Sequence, residues 1–252
     1  MERNNLILLV SSVLLFVIGQ TLFPLAIFLS LAPLFALLQI EHPLKFKHAD
    51  VLVLIALVVS FGIWALLSQL NLWLALSFSV LVWLSTVIYT FTNRYSKNKI
   101  GLLTLVIYWL ALEYVAISLN PEFAHVLLGN ALEVTPFIPW SASSGLTGVS
   151  CWILIGNILL YLSLFKDGGI LEGRFRWLTL SYCIIGIALP IIISYFITFD
   201  VPPITSELVQ KSYSGYLIEV GHYDRTGEVF GRTSAWVAVL IILYAFVKKE
   251  VK

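Results

Sequence analysis

Charged residues are scarce in this sequence of 252 residues, of which they make up only 12%. A soluble domain normally carries about 25% charged residues. Hydrophobic residues make up 60% of the chain, and the mean hydropathy is +0.95. The composition therefore excludes an ordinary soluble enzyme or binding domain and predicts an integral membrane protein. The net charge of +1 gives no reason to expect a nucleic-acid partner.

Cysteine is also rare, since Cys151 and Cys183 are the only two and both lie in apolar runs. Their spacing matches no metal-binding pattern, so we interpret both as buried packing residues. His125 has Glu122 and Glu133 near it in the sequence, but these residues also lack a recognised ligand spacing. We therefore predict neither a metal site nor a cofactor.

Long apolar runs fill most of the sequence. A helix needs roughly 20 apolar residues to cross a bilayer, and we predict spans at 6–19, 22–40, 50–69, 72–92, 100–119, 146–165, 177–199 and 233–248. Pro24 suits the first turn of the second helix, whereas Pro33 lies inside that helix and should kink it. The predicted fold class is an all-α integral membrane protein, with eight transmembrane helices in a single domain over residues 1–252.

Lysine and arginine are distributed unevenly between the predicted loops. Both termini and the loops on their side hold twelve of the fifteen basic residues, and the other three are Lys211, Arg225 and Arg232. Because cytoplasmic loops carry an excess of Lys and Arg, we predict that both termini are cytoplasmic. Segments 120–145 and 200–232 then form two outer loops. The second holds eight of the chain's 29 charged residues, and its glycines suit a small hairpin.

Several short motifs follow one another along the chain. They are P-L-A-I-F-L-S-L-A-P-L at 24–34, W-L-A-L-E-Y at 109–114, L-L-G-N at 127–130, P-F-I-P-W at 136–140, G-L-T-G-V-S at 145–150 and T-G-E-V-F-G-R-T-S-A-W at 226–236. These motifs resemble those in the membrane region of bacterial apolipoprotein N-acyltransferases. They occur in the same order along the chain and on the same predicted side of the membrane. Asn157 also fits that family's sixth span, and we predict that it makes a hydrogen bond between helices. The family's arginine near Ala116 and its F-P-W motif near Phe123 are absent.

The resemblance implies a multi-pass protein of the bacterial cytoplasmic (inner) membrane that binds phospholipid and takes part in lipoprotein biosynthesis. In that family, a nitrilase-like domain between the last two spans carries a Glu-Lys-Cys triad whose cysteine accepts the acyl chain. Here the interval is only residues 200–232 and contains no cysteine. A thioester intermediate needs an activated thiolate, a base and an oxyanion stabiliser. The chain therefore resembles the membrane half of the acyltransferase, and we expect no complete catalytic site in it.

Three functions are compatible with this interpretation. The first is a catalytically incomplete protein that binds or positions phospholipid or lipoprotein together with a partner. The second is the membrane subunit of a split N-acyltransferase, on which a separate nitrilase-like subunit docks through loops 120–145 and 200–232. The third is a structural or transport subunit of an envelope complex.

Glu113 is the most informative ionisable residue within a span, where a carboxylate is costly unless it is paired or hydrated. It is either an anchor in a lipid-headgroup cavity or a carboxylate bonded to a loop amide or to Tyr114. Trp140, after Pro139, either lines the path by which a lipid approaches or is an ordinary aromatic residue of the membrane interface.

Other candidate residues flank the last spans. Tyr114, Gly145 and Trp236, near the start of the eighth span, are further candidates for contact with a lipid or a partner. Gly145 and Gly148 are also expected to permit close helix packing at the sixth span. The polar candidates in the second outer loop are His222, Asp224 and Arg232. His222 and Asp224 either form an acid–base group or belong to a polar turn between two short strands.

Overall fold

The architecture is that of a computed structural model, which describes residues 3–40, 46–96, 101–132, 138–166, 176–194, 196 and 228–250. All regular secondary structure in these ranges is helical. The α-helices are α1 (Arg3–Thr21), α2 (Ile27–Ser30), α3 (Ala32–Ile40), α4 (Phe46–Leu67), α5 (Leu72–Ser96), α6 (Leu103–Leu119), α7 (Ile138–Leu164), α8 (Trp177–Ser194) and α9 (Glu228–Glu250). Three 3-10 helices accompany them, at Pro24–Ala26, Pro121–Val126 and Leu128–Leu132.

Within these ranges, four helical segments are long and apolar enough to cross a membrane. They are Asp50–Leu67, Leu72–Tyr95, Ser144–Leu164 and Val229–Lys249. Four shorter apolar segments are Asn5–Thr21, Pro24–Leu38, Leu103–Leu119 and Trp177–Ile193. The chain is therefore a helical membrane protein, as its composition predicts. The eight segments match the predicted spans in position, and the crossing of the four shorter ones stays a prediction.

The second predicted span is broken near its middle. α2 and α3 are separated at Leu31, just before Pro33, whose ring nitrogen donates no hydrogen bond. Asn157 of α7 contacts this break, where its Oδ1 accepts from the N–H groups of Leu31 and Ala32 at 2.8 and 3.1 Å. Its Nδ2 donates to the carbonyl of Ile27 at 2.9 Å. The predicted kink and the predicted interhelical hydrogen bond are both confirmed, and they belong to one feature.

Aromatic rings connect four elements through the core. The ring of Phe16 lies 4.9 Å from that of Phe61, which lies 5.5 Å from that of Phe78. Phe78 in turn lies 6.0 Å from Phe123, between ring centroids. Because these contacts join α1, α4 and α5 to the 3-10 helix Pro121–Val126, that short helix is anchored in the bundle.

The first half of the predicted outer loop 120–145 is not an exposed loop. Residues 121–132, called here the buried segment, form two 3-10 helices whose buried side chains are Ala124, Val126, Leu127, Leu128, Ala131 and Leu132. Backbone of this kind is tolerated at membrane depth only where it is buried in protein. Most of the segment therefore belongs to the core and offers little surface for a docking partner.

Two helix boundaries differ from the predicted spans. α7 begins at Ile138 and is interrupted at Gly145, so only its second part matches the predicted span 146–165. α9 begins at Glu228, because residues predicted as the end of the outer hairpin are already helical. The rest of that predicted hairpin, residues 200–227, lies outside the described part of the chain.

The two ends of the bundle differ in charge. The start of α6 and the end of α7 meet around one cavity that Lys166 lines. We call this the Lys166 end, and the opposite end, where α6 finishes, the Asn120 end. The Lys166 end also holds Arg94 and Lys249, whose side chains lie over the ring of Tyr95. This asymmetry agrees with the predicted orientation, which stays a prediction.

Candidate functional site

Glu113 lies near the end of α6 with a fully buried side chain. Its Oε1 accepts from Nε1–H of Trp109, one turn earlier, at 3.0 Å. The same oxygen accepts from the N–H of Leu128 in the buried segment at 3.4 Å. Of the two interpretations that the sequence leaves open, this geometry matches the carboxylate bonded to a loop amide. Full burial also removes Glu113 from the surface that lipid contacts.

The next amide of the buried segment is bound by α7. The N–H of Gly129 donates to Oγ of Ser150 at 2.8 Å, and Ser150 is itself fully buried. A side chain at position 129 would collide with the carbonyl group of Leu146, so glycine permits this close approach. Glu113 and Ser150 thus bind successive amides of a backbone turn, as non-helical backbone requires inside a bilayer.

The second carboxyl oxygen of Glu113, Oε2, has no hydrogen-bond partner among the residues that the structure describes. The hydroxyl of Ser150 is a further polar neighbour of this carboxyl group, but it lies outside hydrogen-bonding geometry for Oε2. A buried polar atom without a partner destabilises a fold. Oε2 of Glu113 can therefore still accept a hydrogen bond.

A cavity of about 580 Å³ opens between α6 and α9 at the Asn120 end. Its lining residues are Tyr114, Arg232, Ala235, Trp236 and Val239. Arg232 and Trp236 are four residues apart, so they lie on the same face of α9. Next to them the helices touch closely, since a Cβ added to Gly231 would lie 2.8 Å from Cβ of Tyr114.

The lining of this cavity combines one guanidinium group, two aromatic side chains and apolar surface. A guanidinium group binds phosphate oxygens through two parallel hydrogen bonds. Trp and Tyr suit the membrane interface because each has an apolar ring and a polar group. The side chain of Trp236 is 69% exposed, so a molecule in the bilayer can reach it. These properties fit a phospholipid whose phosphate binds Arg232 and whose chain lies beside Val239.

The structure brings together two of the predicted contact residues, Tyr114 and Trp236, and the polar outer-loop candidate Arg232. Pro139 and Trp140 lie in the first turn of α7, but their side chains are outside the described part of the structure. His222 and Asp224 belong to residues 197–227, which are not described either.

Gly145 has a backbone role in addition to the packing role predicted for it. Its φ of 70° and ψ of 172° interrupt α7, and glycine is the residue that adopts such a conformation without strain. Gly148 is the glycine that faces another helix, since an added Cβ would lie 3.4 Å from the ring of Phe230 in α9. Gly148 therefore shows the expected close packing, and Gly145 redirects the chain.

Ser150 was missed as a site residue, although it ends the G-L-T-G-V-S motif. Its importance depends on the fold-back of residues 121–132, which no local pattern indicates. The bond between Trp109 and Glu113 has a local signal, because residues four apart on a helix are neighbours.

Metal binding finds no support in the described residues, among which no group of three or more His, Cys, Asp or Glu could hold an ion. Cys183 is buried, and its thiol lies 3.7 Å from the carbonyl oxygen of Gly156. Cys151 is partly buried in α7. These positions agree with the packing role predicted for both cysteines.

Comparisons with protein-family models, with curated proteins and with solved structures found no match. The resemblance to apolipoprotein N-acyltransferases therefore rests on the short sequence motifs alone and stays a prediction.

Proposed function

We propose that this chain is a lipid-binding membrane protein, similar to the membrane half of apolipoprotein N-acyltransferases, that holds a phospholipid or a lipoprotein acyl chain at its Asn120 end. The observation that carries the proposal is the cavity in which Arg232, Trp236 and Tyr114 meet. A phosphate-binding cation beside exposed aromatic and apolar surface is the combination that a lipid at a membrane interface requires. In a bacterial inner membrane with the predicted orientation, this cavity faces the outer leaflet.

Two of the motifs that carry the resemblance line this cavity, the one at 109–114 through Tyr114 and the one at 226–236 through Arg232 and Trp236. Glu113, Leu128 and Ser150 come from three of the motifs and share one hydrogen-bond network. The motif at 226–236 contributes Arg232 and Trp236 to the cavity beside that network.

We propose further that the chain does not complete acyl transfer by itself. No cysteine follows Cys183 in the sequence, and Cys183 is buried against α7. A separate nitrilase-like subunit that supplied the Glu-Lys-Cys triad would make this chain the membrane subunit of a split acyltransferase. Expression in a strain that lacks the acyltransferase tests this point. The chain alone is expected to leave lipoproteins without the N-acyl group, and restored N-acylation would contradict the proposal.

Lipid binding is tested by native mass spectrometry of the purified full chain with phosphatidylethanolamine and phosphatidylglycerol. Arg232→Gln removes the charged hydrogen bonds to phosphate, which are worth about 1.5–3 kcal/mol, so lipid retention should fall about tenfold or more. Trp236→Ala should also reduce retention. Trp73→Ala is the matched control, because Trp73 is also largely exposed at the same end but lies on α5.

Two results of this experiment would contradict the proposed site. One is unchanged retention in the Arg232→Gln protein, and the other is an equal loss in the Trp73→Ala protein. Adding a diacylated lipopeptide separates the two candidate ligands. Displacement of bound phospholipid by the lipopeptide supports lipoprotein as a ligand of the cavity, whereas no displacement restricts the site to phospholipid.

A further inference from the structure

A second cavity, of about 480 Å³, opens at the Lys166 end of the bundle. It lies between the start of α6 and the second half of α7, and none of its lining residues belongs to the Glu113 network. Its walls are mostly aliphatic and include Leu102, Leu103, Ile158, Leu159 and Leu162, with Lys166 as the charged lining residue. The volume is within the range of about 300–1,000 Å³ that is typical of ligand sites.

Local backbone geometry leaves this space open. Gly101 turns the chain into α6 with a φ of 59°, and no atom of the described residues lies within 4 Å of the place where its Cβ would stand. On α7, Leu162 and Lys166 are four residues apart and share a face. A molecule that lies along this face therefore meets an aliphatic side chain first and then an ammonium group at the helix end.

We propose that this second cavity binds an anionic phospholipid, with an acyl chain against the aliphatic wall and the phosphate at Lys166. The aliphatic wall offers few hydrogen-bond partners to a polar ligand, whereas an acyl chain needs no hydrogen bonds. Lys166 is the basic group within this lining, whereas Arg94, Lys248 and Lys249 lie at the same end but outside the lining. Basic groups close to a bilayer attract anionic headgroups in preference to zwitterionic ones.

This site is independent of the proposed function, since it lies at the other end of the bundle and shares no lining residue with the cavity between α6 and α9. With the predicted orientation it takes lipid from the cytoplasmic leaflet. Each of the two proposed sites can therefore be supported or contradicted independently of the other.

The test is native mass spectrometry of the full chain with phosphatidylglycerol and phosphatidylethanolamine. The wild-type sequence and the Arg232→Gln protein are both measured, so that lipid at the first cavity does not mask the second. Lys166→Gln removes the positive charge of the cavity, and Leu162→Trp fills the space that the acyl chain would occupy. Lys249→Gln and Leu240→Trp are matched controls, because they make the same changes on α9 away from the cavity.

In the Lys166→Gln protein, the ratio of bound phosphatidylglycerol to bound phosphatidylethanolamine should fall about fivefold. This is the effect expected of one lysine near a membrane surface. Leu162→Trp should reduce retention of both lipids, while the two control proteins should behave like wild type. Thermal unfolding and gel filtration establish that each variant is folded. An unchanged lipid preference in Lys166→Gln, an equal loss in Lys249→Gln, or full retention in a folded Leu162→Trp protein would each overturn the proposal.

Discussion

Glu113 joins parts of the chain that are far apart in sequence. Its carboxyl group accepts hydrogen bonds from Trp109 in α6 and from the backbone of Leu128 in the buried segment. Ser150 of α7 binds the following amide, that of Gly129. In a bilayer the alternative to such bonds is an unsatisfied polar group, because no water is present to replace them. The network therefore explains how a non-helical segment is held inside a membrane bundle.

Replacing Glu113 by leucine should destabilise the protein more than replacing it by glutamine. Leucine leaves Nε1–H of Trp109 and the N–H of Leu128 without an acceptor, and each unsatisfied donor costs about 1–3 kcal/mol. Glutamine keeps an acceptor oxygen and a similar shape. The free energy of unfolding, measured in detergent, should therefore decrease from wild type to Glu113→Gln and again to Glu113→Leu.

The control for this comparison is Glu122→Leu, which removes an exposed carboxylate at the same end of the bundle. Surface substitutions normally change stability by less than about 0.5 kcal/mol. If the Glu113→Leu protein were as stable as the Glu113→Gln protein, the structural role assigned to this carboxyl group would be wrong.

The sequence predicted some of these residues and missed others for a physical reason. Pro33 and Asn157 could be predicted, because a proline in a helix and an amide within a span each demand hydrogen-bond partners. The role of Ser150 could not be predicted, since its partner Gly129 reaches it only after the chain folds back. For Glu113, its position within an apolar span indicated that the carboxyl group needs hydrogen-bond donors, but it did not indicate which groups supply them.

The buried segment is the element whose structure differs most from the sequence prediction. Pro121 and the polar residues Glu122 and His125 suggest a loop. The runs of apolar residues near them are too short to span a membrane. The 3-10 helices place the apolar side chains inward and leave Glu122 exposed. Such short helices have no strong periodic signal, whereas the long apolar helices were predicted at nearly their observed positions.

Gly129→Ala should destabilise the buried segment, because the new methyl group would overlap the carbonyl of Leu146. Overpacking of this kind typically costs about 1–3 kcal/mol. Gly186→Ala in α8 is the matched control, since in the described part of the chain no atom lies within 4 Å of its Cβ position. There alanine is the better helix former and should leave stability unchanged or slightly increased.

Both glycine variants are compared by thermal unfolding and by thiol labelling of a cysteine at Val126, which is fully buried. We expect faster labelling and a lower midpoint in Gly129→Ala alone. Equal midpoints and equal labelling rates in the two variants would show that the close contact at Gly129 is not required.

For the whole molecule, the uneven distribution of basic residues predicts a single orientation in the membrane. Leu22 and Glu122 lie at the Asn120 end, and Lys249 lies at the Lys166 end. In a background without native cysteines, single cysteines at positions 22 and 122 should react with a membrane-impermeant thiol reagent added to intact cells. A cysteine at position 249 should stay unlabelled, because we predict that it is cytoplasmic.

Each outcome at position 22 has a distinct meaning for the number of spans. Labelling together with position 122 supports the crossing of the first two apolar segments. If position 22 behaved like position 249, the first two segments would not cross, and the predicted eight-helix topology would be wrong.

The most direct measurement of lipid binding uses a photo-crosslinking amino acid at two adjacent positions of α9. Val239 lines the cavity between α6 and α9, whereas Leu240 is exposed outside it. Both positions meet bulk lipid, so the measured quantity is the dependence of phospholipid adducts on lipid concentration. A specific site predicts that adducts at position 239 saturate at low lipid and fall with Arg232→Gln, while those at 240 rise in proportion. Proportional rise at both positions, unaffected by Arg232→Gln, would contradict a lipid site at this cavity.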